Sequence, residues 1–424
     1  MLKSLEISNL NSIKEPVIFT MEAEPEVTEY QQNIHDLDQR NRILKVALVH
    51  GANASGKRTL IKAIRFVKDV VLGPFSDKDK AQEPAMDVPF SPFAFDQDKD
   101  DRTTVSILFA REGIEYWYRL TVVILTGRSA RFMIEDEYFA LREKDADDFF
   151  ALFSRDQHGR ATGSTLAQVE LLKRPLARDV TVLKYLHQND IDIPDDRIHP
   201  IAGSDRLGPI AGLYDEISSL SCIDGSSLSS FYSQKDTIKR IRDHKDYIIR
   251  SLGDLGVPVA DILIDTNQQG SKGVRFLHRV KGRTYQLDLD QESRGTILLI
   301  DLLAVIASQS QKPMILLVDR LDAHLHPRVL SEIIALFHSA QNRQHQLIFT
   351  TQDLENLSSD RFRRDQIWFA YRNEALSTEL LCLSDIVNYK GERVARGADY
   401  AQQYREGKYG ADPLIKKGLN WHVD

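Results

Sequence analysis

The chain has 424 residues, a formal net charge of −7 at pH 7, and 42% hydrophobic and 28% charged residues. This length predicts one large domain or two smaller ones, and the composition predicts a buried core rather than a disordered chain. The acidic balance argues against a generally basic nucleic-acid binder, and no apolar run reaches the roughly 18 residues of a membrane span. The N-terminus alternates like a strand and lacks the apolar core of a signal peptide, so we expect a cytoplasmic protein.

The first third of the chain contains strand patterns, one glycine-rich loop and one helix pattern. Leu2–Leu10 and Pro16–Met21 alternate between apolar and polar residues, which predicts two strands. Ile43–Val49 is short, apolar and β-branched, which predicts a buried strand. A glycine-rich loop follows it at once, and Leu60–Val71 then has the apolar spacing of a helix. Residues 93–138 have mainly strand patterns again.

The remaining two thirds begin with a mixed segment and end with alternating helices and strands. Residues 145–254 have a mixed, mostly helical pattern with polar interruptions, which indicates an insertion. Val274–Leu289 predicts a hairpin that turns at Lys281 and Gly282. The elements expected after it are a helix over Gly295–Ser308, a buried strand over Met314–Val318, a helix over Val329–Ala340 and a buried strand over Gln346–Thr350. This order predicts an α/β fold with a parallel central sheet.

The loop GANASGK lies between a buried strand and a helix, as the phosphate-binding P-loop motif requires. Glycines let backbone N–H groups turn toward phosphate oxygens, the helix N-terminus adds positive potential, and Lys57 would reach the β and γ phosphates. The next position normally supplies a hydroxyl to Mg²⁺, but here it is Arg58, which has no acceptor atom. Thr59 is on another side of the helix and cannot simply replace that hydroxyl. The candidate nucleotide-binding residues in this segment are Gly51, Asn53, Ser55, Gly56, Lys57 and Thr59.

A second candidate site residue is Asp319, which follows the apolar strand Met314–Val318. An aspartate in this place is the Walker B acid of P-loop proteins, which holds Mg²⁺. We expect this strand to lie beside Ile43–Val49, which would place Asp319 next to the start of the Lys57 helix. Arg58 would then be within reach of Asp319, and we hypothesise that the two side chains form an ion pair in the position of the metal. The alternative is that Arg58 turns to solvent or contacts the phosphates.

With these motifs, the chain resembles the ABC-type ATPases of prokaryotic anti-phage defence. This group includes RloA-like proteins and the ATPase subunits of PARIS-type and overcoming-lysogenisation-defect-like systems, and its heads are related to those of structural-maintenance-of-chromosomes proteins. The segments that carry the resemblance, beyond Leu2–Leu10 and the phosphate loop, are Pro89–Asp96, Gly113–Leu120, Glu292–Thr296, Leu317–Pro327, Gln346–Asp353, Arg363–Ala370 and Gly407–Pro413.

The resemblance implies a role for each matching residue. Lys57 would bind phosphate and Asp319 would be the Walker B acid. Ser293 and Gly295 would belong to the signature segment, which contacts the nucleotide of the opposite subunit. Asp322 would lie in the loop that communicates across a dimer. The resemblance therefore implies a site that is completed between two subunits.

Three positions of the hydrolytic machinery depart from the family pattern together. Arg58 replaces the hydroxyl, Arg320 replaces the glutamate that orients the attacking water, and Gln352 replaces the switch histidine. Phosphoryl transfer relies on positioning and charge neutralisation, so these changes predict that hydrolysis is lost by several orders of magnitude. ATP remains the expected nucleotide, whereas the departures argue against Mg²⁺ and leave no intact catalytic residue.

The resemblance also implies a domain organisation and partners. Residues 1–144 and 255–424 would form a P-loop NTPase head of ABC type with an N-terminal antiparallel subdomain, and residues 145–254 would be a mostly helical insertion. We expect a hydrolysis-deficient assembly or regulatory subunit of a defence or stress complex. It would form a homodimer or assemble with an ATPase-like or effector chain, such as a nuclease or toxin. The open alternatives are an active ATPase and a DNA-binding head. The candidate DNA-binding patches are Lys173–Arg174 and Lys239–Arg242.

Overall fold

The computed structural model describes residues 1–73, 90–96, 100–125, 131–163, 174–191, 208–225, 235–265 and 273–411. The strands in these ranges are β1 (Leu2–Ser8), β2 (Val17–Thr20), β3 (Ile34–Asp36), β4 (Arg42–Leu44), β5 (Val46–His50), β6 (Arg102–Arg111), β7 (Ile114–Leu125), β8 (Arg131–Glu143), β9 (Phe150–Arg155), β10 (Ala161–Thr162), β11 (Leu220–Asp224), β12 (Asp261–Ile264), β13 (Val274–Val280), β14 (Arg283–Asp288), β15 (Met314–Asp319), β16 (His345–Thr351), β17 (Ile367–Arg372) and β18 (Thr378–Cys382). The helices are α1 (Lys57–Leu72), α2 (Val182–Gln188), α3 (Pro209–Ser218), α4 (Lys235–Asp243), α5 (Lys245–Asp254), α6 (Arg294–Ser308), α7 (Pro327–His338) and α8 (Tyr400–Arg405).

A six-stranded central sheet positions the site. Its order is β11-β15-β16-β5-β17-β18, and every neighbouring pair is parallel except β17 with β18. All residues of β5 and β15 are buried, as expected for strands that are covered on both faces. Alternate β5 residues face two different cores, with Ala47 and Val49 in one and Val46 and Leu48 in the other. The predicted α/β fold with a mainly parallel central sheet is therefore confirmed.

A second, antiparallel sheet has the order β10-β9-β8-β7-β6-β1-β2. Its apolar residues share one core with α1, α2, α3 and one face of the central sheet. The other face of the central sheet packs against α6 and α7, whose apolar residues lie in the second core. The predicted N-terminal antiparallel subdomain is thus observed, and none of the helices within the described ranges is long and apolar enough to cross a membrane.

Two predictions about the strand that precedes the phosphate loop are wrong. The segment 43–49 is not one strand, because β4 pairs with β3 and the central strand β5 begins only at Val46. Lys45 separates them, since its N–H donates to the Asn33 carbonyl while its own carbonyl accepts from Leu347. The Walker B strand β15 also does not lie beside β5, because β16 pairs with both and separates them. Asp319 still lies near the start of α1, since α1 packs back against β11 and β15.

The segment 145–254 contains strands that the sequence pattern did not predict. In its described part, α2, α3, α4 and α5 agree with a mainly helical segment. However, β9 and β10 extend the antiparallel sheet, and β11 forms an edge of the central sheet. This segment therefore contributes to both sheets of the head. By contrast, the hairpin β13–β14 is confirmed, with Lys281 and Gly282 at positive φ in its turn.

Candidate nucleotide-binding site

The phosphate loop joins β5 to α1 and is shaped by two glycines. Gly56 has φ +96°, and a Cβ there would overlap the Thr378 hydroxyl. A Cβ on Gly51 would overlap the Ala370 carbonyl oxygen. The Thr378 hydroxyl donates to the Ser55 carbonyl over 2.9 Å, so β18 fixes the loop from the outside. Only glycine fits position 56 without strain, because the left-handed φ and the close approach of Thr378 both disfavour a side chain there.

Lys57 is folded back across this loop. Its Nζ donates to the Gly51 carbonyl over 2.6 Å and to the Ala52 carbonyl over 2.7 Å. Burial lowers the pKa of Lys57 to about 8, and the nearby Asp319 only partly offsets this effect. The ammonium group therefore lies inside the loop, where a P-loop lysine meets phosphate.

Asp319 is buried at the end of β15 and is held by the neighbouring strand. The Thr350 hydroxyl donates to Asp319 Oδ1 over 2.7 Å and accepts from the Arg320 N–H over 2.7 Å. Burial raises the pKa of Asp319, although the Thr350 hydrogen bond and the charge of Arg58 oppose that rise. Arg320 has φ +55°, so the chain turns sharply just after the acid. One hydroxyl of β16 thus fixes both the carboxylate and the start of this turn.

Arg58 connects the start of α1 to the ends of two strands. Its Nε lies 3.3 Å from Asp319 Oδ2, which confirms the predicted ion pair. Its Nη2 donates to Asp224 Oδ2, a second partner that the sequence analysis missed. Asp224 and Asp319 are register partners on the parallel strands β11 and β15, so their carboxylates lie side by side. The guanidinium therefore lies between two carboxylates where the family pattern would place a metal ion.

Comparison with known proteins identifies the family. Residues 46–358, well over half of the chain, match the family model described as "AAA domain, putative AbiEii toxin, Type IV TA system". The chain belongs to this AAA-domain family. Together with the sheet and the loop described above, this match identifies the fold as a P-loop ATPase fold. No curated protein matches the chain.

Several solved structures are similar to the chain at low identity. One is a structural-maintenance-of-chromosomes head bound to the C-winged helix domain of ScpA, with 16% identity, a TM-score of 0.44, and coverage of 90% of this chain and 98% of that chain. A second is such a head domain from Thermotoga maritima, with 14% identity, a TM-score of 0.38, and coverage of 90% and 98%. A third, from Pyrococcus furiosus, has an extended coiled coil and is bound to the C-terminal domain of ScpA, with 13% identity, a TM-score of 0.41, and coverage of 90% and 96%. These TM-scores are too low to assign a function to the present chain.

The other two predicted departures from the family pattern, Arg320 and Gln352, lie on one chain of hydrogen bonds. Arg320 Nη2 donates to Gln352 Oε1 over 3.4 Å, and Gln352 Nε2 donates to Asn53 Oδ1. Gln352 therefore bridges the turn after the Walker B acid and the phosphate loop. Thr59 is turned elsewhere, because its hydroxyl lies 2.8 Å from that of Ser12. As expected, Thr59 does not replace the missing hydroxyl beside Asp319, and its predicted contact with nucleotide stays a prediction.

Asp322 is bound to its own chain. Its Oδ2 accepts from the Thr351 hydroxyl over 3.0 Å, from the Gln352 N–H over 2.9 Å and from the Asp353 N–H over 3.2 Å. Its Oδ1 is buried and has no hydrogen-bond partner within the described ranges. In this conformation Asp322 couples the segment after Asp319 to the segment that contains Gln352. Its role in communication across a dimer stays a prediction.

The signature segment opens α6. Ser293 is the N-cap, and its hydroxyl accepts from the Thr296 N–H over 3.0 Å. A Cβ on Gly295 would overlap the carbonyl oxygen of His324, so this helix start packs directly on the turn after the Walker B acid. The contact of Ser293 and Gly295 with the nucleotide of an opposite subunit stays a prediction.

Among the residues that the structure describes, Asp224 is a charged site residue that the sequence analysis missed, although a signal was present. LSCID over β11 and MILLVD over β15 are both apolar strands that end in aspartate. Adjacent parallel strands with this pattern present their acids at the same sheet edge. The signal was overlooked because β11 lies within the segment that was predicted to be a helical insertion.

The residues of this site fit a nucleotide but do not fit Mg²⁺. The two glycines leave room for the backbone to approach phosphates, and Lys57 lies within the loop. Mg²⁺ requires near-octahedral oxygen ligands. The hydroxyl ligand is replaced by Arg58, and the guanidinium contacts one oxygen of each neighbouring carboxylate. A metal ion would have to displace this cation from both acids.

Proposed function

We propose that this chain binds nucleotide but does not hydrolyse it on its own, and that it serves as an assembly or regulatory subunit of a cytoplasmic defence or stress complex. The observation that carries the first part is the Arg58 guanidinium, which contacts both Asp224 and Asp319. Without a metal-bound phosphate and a water-orienting carboxylate, the transition state loses its main electrostatic stabilisation, which corresponds to several orders of magnitude in rate.

The family and the signature segment support the second part. The family description, "AAA domain, putative AbiEii toxin, Type IV TA system", supports a place in a defence or stress system. Ser293 and Gly295 keep the signature residue types, while Arg58 and Arg320 replace the hydrolytic ones. A subunit of this kind suits a homodimer, or an assembly with an ATPase-like or effector chain whose site it completes. The DNA-binding alternative stays a prediction. Of its two basic patches, Lys239–Arg242 lies on α4, and Lys173 lies outside the described residues.

Phosphate release by the purified protein tests the hydrolytic claim. We expect wild type supplied with Mg²⁺ and ATP to release phosphate no faster than the Lys57→Ala control. Arg58→Ser alone should remain inactive, because Arg320 still replaces the glutamate. The double variant Arg58→Ser with Arg320→Glu should show the first measurable turnover, and addition of Gln352→His addresses the third position. Turnover of wild type above the Lys57→Ala level would refute the proposal.

Light scattering tests the assembly claim. We expect the protein to form a dimer or a larger complex, alone with nucleotide or together with the products of neighbouring genes. A strict monomer under all these conditions would count against a role that depends on the signature segment.

A further inference from the structure

The cation between Asp224 and Asp319 is part of the protein itself. Arg58 is the second residue of α1, and the two carboxylates come from the ends of β11 and β15. We propose that this site binds a nucleoside triphosphate without a metal ion, with the Arg58 guanidinium in the place of that cation. This inference rests on the proposed function, because it names the form of the ligand that the same site takes.

The position of the guanidinium is fixed from two sides. The end of β11 is joined to β15 by a hydrogen bond of 2.8 Å from the Gly225 N–H to the Asp319 carbonyl. Asp319 is held in turn by Thr350, through its 2.7 Å hydrogen bond. Arg58 thus binds two carboxylates whose own positions are set by strand pairing. A group held in this way loses little further freedom when a ligand arrives, which favours binding.

The charges around the loop suit a metal-free triphosphate. Lys57, Arg58 and Arg320 are cationic, and the charge of Arg320 is close enough to lower the pKa of Lys57. Lys62 is a fourth cation close to Arg58, and the carboxylates of Asp224, Asp319 and Asp322 offset three of these four charges. A triphosphate without Mg²⁺ is more negative than its Mg²⁺ complex by the charge of the ion, so it gains more from the remaining cation and from the N-terminus of α1.

The guanidinium can bind phosphate while it keeps its carboxylates. Its side chain is 55% exposed, although two acids contact it. Guanidinium has five planar N–H donors and suits bidentate recognition of phosphate. Mg²⁺ would gain little in the same place, because it would be repelled by Arg58 and would find no hydroxyl ligand at that position. The metal-free nucleotide should therefore bind at least as tightly as the complex.

Calorimetric titration with ATP, in EDTA and in excess Mg²⁺, tests this inference. We expect wild type to bind ATP in EDTA at least as tightly as in Mg²⁺. Arg58→Ser should lose about tenfold or more of its affinity in EDTA, because one charge-assisted contact to phosphate is lost, and should recover affinity when Mg²⁺ is added. Arg58→Lys, which keeps the charge but not the fork that bridges two acids, should lie between them.

Arg65→Ser is the matched control on the same helix. Arg65 is 53% exposed and pairs with Asp69 over 3.2 Å, so its loss removes a comparable arginine away from the site. This variant should bind ATP as wild type does, with and without metal. Circular dichroism of every variant verifies that the fold is retained.

Three results would overturn the inference. They are a loss of about tenfold or more in wild-type affinity when Mg²⁺ is removed, unchanged binding by Arg58→Ser in EDTA, and no ATP binding by wild type in either buffer. The first two results leave the proposed function standing, whereas the third would also refute its claim that the chain binds nucleotide. Metal-dependent binding without turnover would refute only the inference, whereas turnover above the Lys57→Ala level would refute the proposed function even if EDTA left the affinity unchanged.

Discussion

Two regions at the nucleotide-binding edge of the molecule are built alike but carry different chemistry. The phosphate-loop region, which we define as residues 51–58 with Asp224 and Asp319, and the signature region, Ser293–Gly295, each place a glycine where a side chain would overlap a neighbouring segment. In the signature region Ser293 and Gly295 are the predicted signature residues, and Ser293 caps its helix. In the phosphate-loop region two glycines shape the backbone, whereas Arg58 stands where the phosphate-loop motif supplies a hydroxyl to the metal and pairs with Asp319.

This difference separates shape from reaction chemistry. Backbone geometry decides whether phosphates and a partner can approach, and in both regions a glycine allows a close approach of two backbone segments or of a side chain. Side chains decide whether a metal and a water molecule are positioned, and there Arg58, Arg320 and Gln352 are the predicted departures from the family pattern. Because Arg58 is more than half exposed, its ion pairs should add at most about 1 kcal/mol to stability. We therefore expect Arg58 to matter more for binding than for folding.

The largest effect should come from Gly56→Ala. The left-handed φ of +96° and the overlap with Thr378 should cost about 2–4 kcal/mol of the free energy of unfolding, and ATP binding should be lost with the loop geometry. Gly253→Ala is the matched control, since Gly253 lies in α5 with open space around a Cβ and should gain about 0.5–1 kcal/mol. Urea denaturation measures both free energies of unfolding. Equal stability of Gly56→Ala and wild type would contradict the claim that Gly56 is required by the backbone of the phosphate loop.

A smaller effect should follow from Gly295→Ala. A Cβ there meets the backbone carbonyl of His324, so the start of α6 must shift. This shift should lower the free energy of unfolding by about 1–3 kcal/mol. The loss should be smaller than that of Gly56→Ala, because Gly295 has no positive φ to add strain. The same denaturation series checks the order of the two variants. A reversed order would mean that the signature region is the more rigidly built of the two.

The smallest effect is a pH dependence of ATP affinity. Burial lowers the pKa of Lys57 to about 8, so Lys57 is charged below that pH and loses its proton above it. ATP affinity should be level below pH 8 and then fall by up to about tenfold for each further pH unit. The free energy of unfolding should rise over the same range, because the folded chain binds fewer protons than the unfolded chain. Lys57→Arg keeps its charge and should flatten the affinity profile. A profile of wild type that stays flat to pH 10 would contradict this assignment.

The sequence predicted the fold and part of the site, for identifiable physical reasons. The loop from Gly51 to Lys57 and the acid Asp319 are local motifs, so their context could be recognised from the neighbouring strand and helix patterns. The pairing of Arg58 with Asp319 was predicted from a strand order that is wrong. It forms nevertheless, because α1 packs back against β15. The pairing of strands, however, joins residues that are far apart in the sequence. Two of the wrong or missing predictions concern such pairings.

The first error was to place β15 beside β5. Both strands are short apolar runs, and nothing in such a run states which neighbour it takes, so β16 between them could not be predicted. The second was to miss Asp224, whose strand β11 lies more than 80 residues before β15 in the chain and inside a mostly helical pattern. Its partnership with Arg58 depends on the parallel register of β11 and β15, which brings two distant acids together.

A crystal structure with bound ATP and Mn²⁺, analysed by anomalous scattering, tests most directly whether Arg58 takes the place of the metal. We predict that the phosphates lie on residues 51–57, that the guanidinium lies between Asp224 and Asp319, and that no anomalous peak lies beside Asp319. A Mn²⁺ ion bound between Asp319 and the phosphates, with Arg58 turned away, would contradict the account.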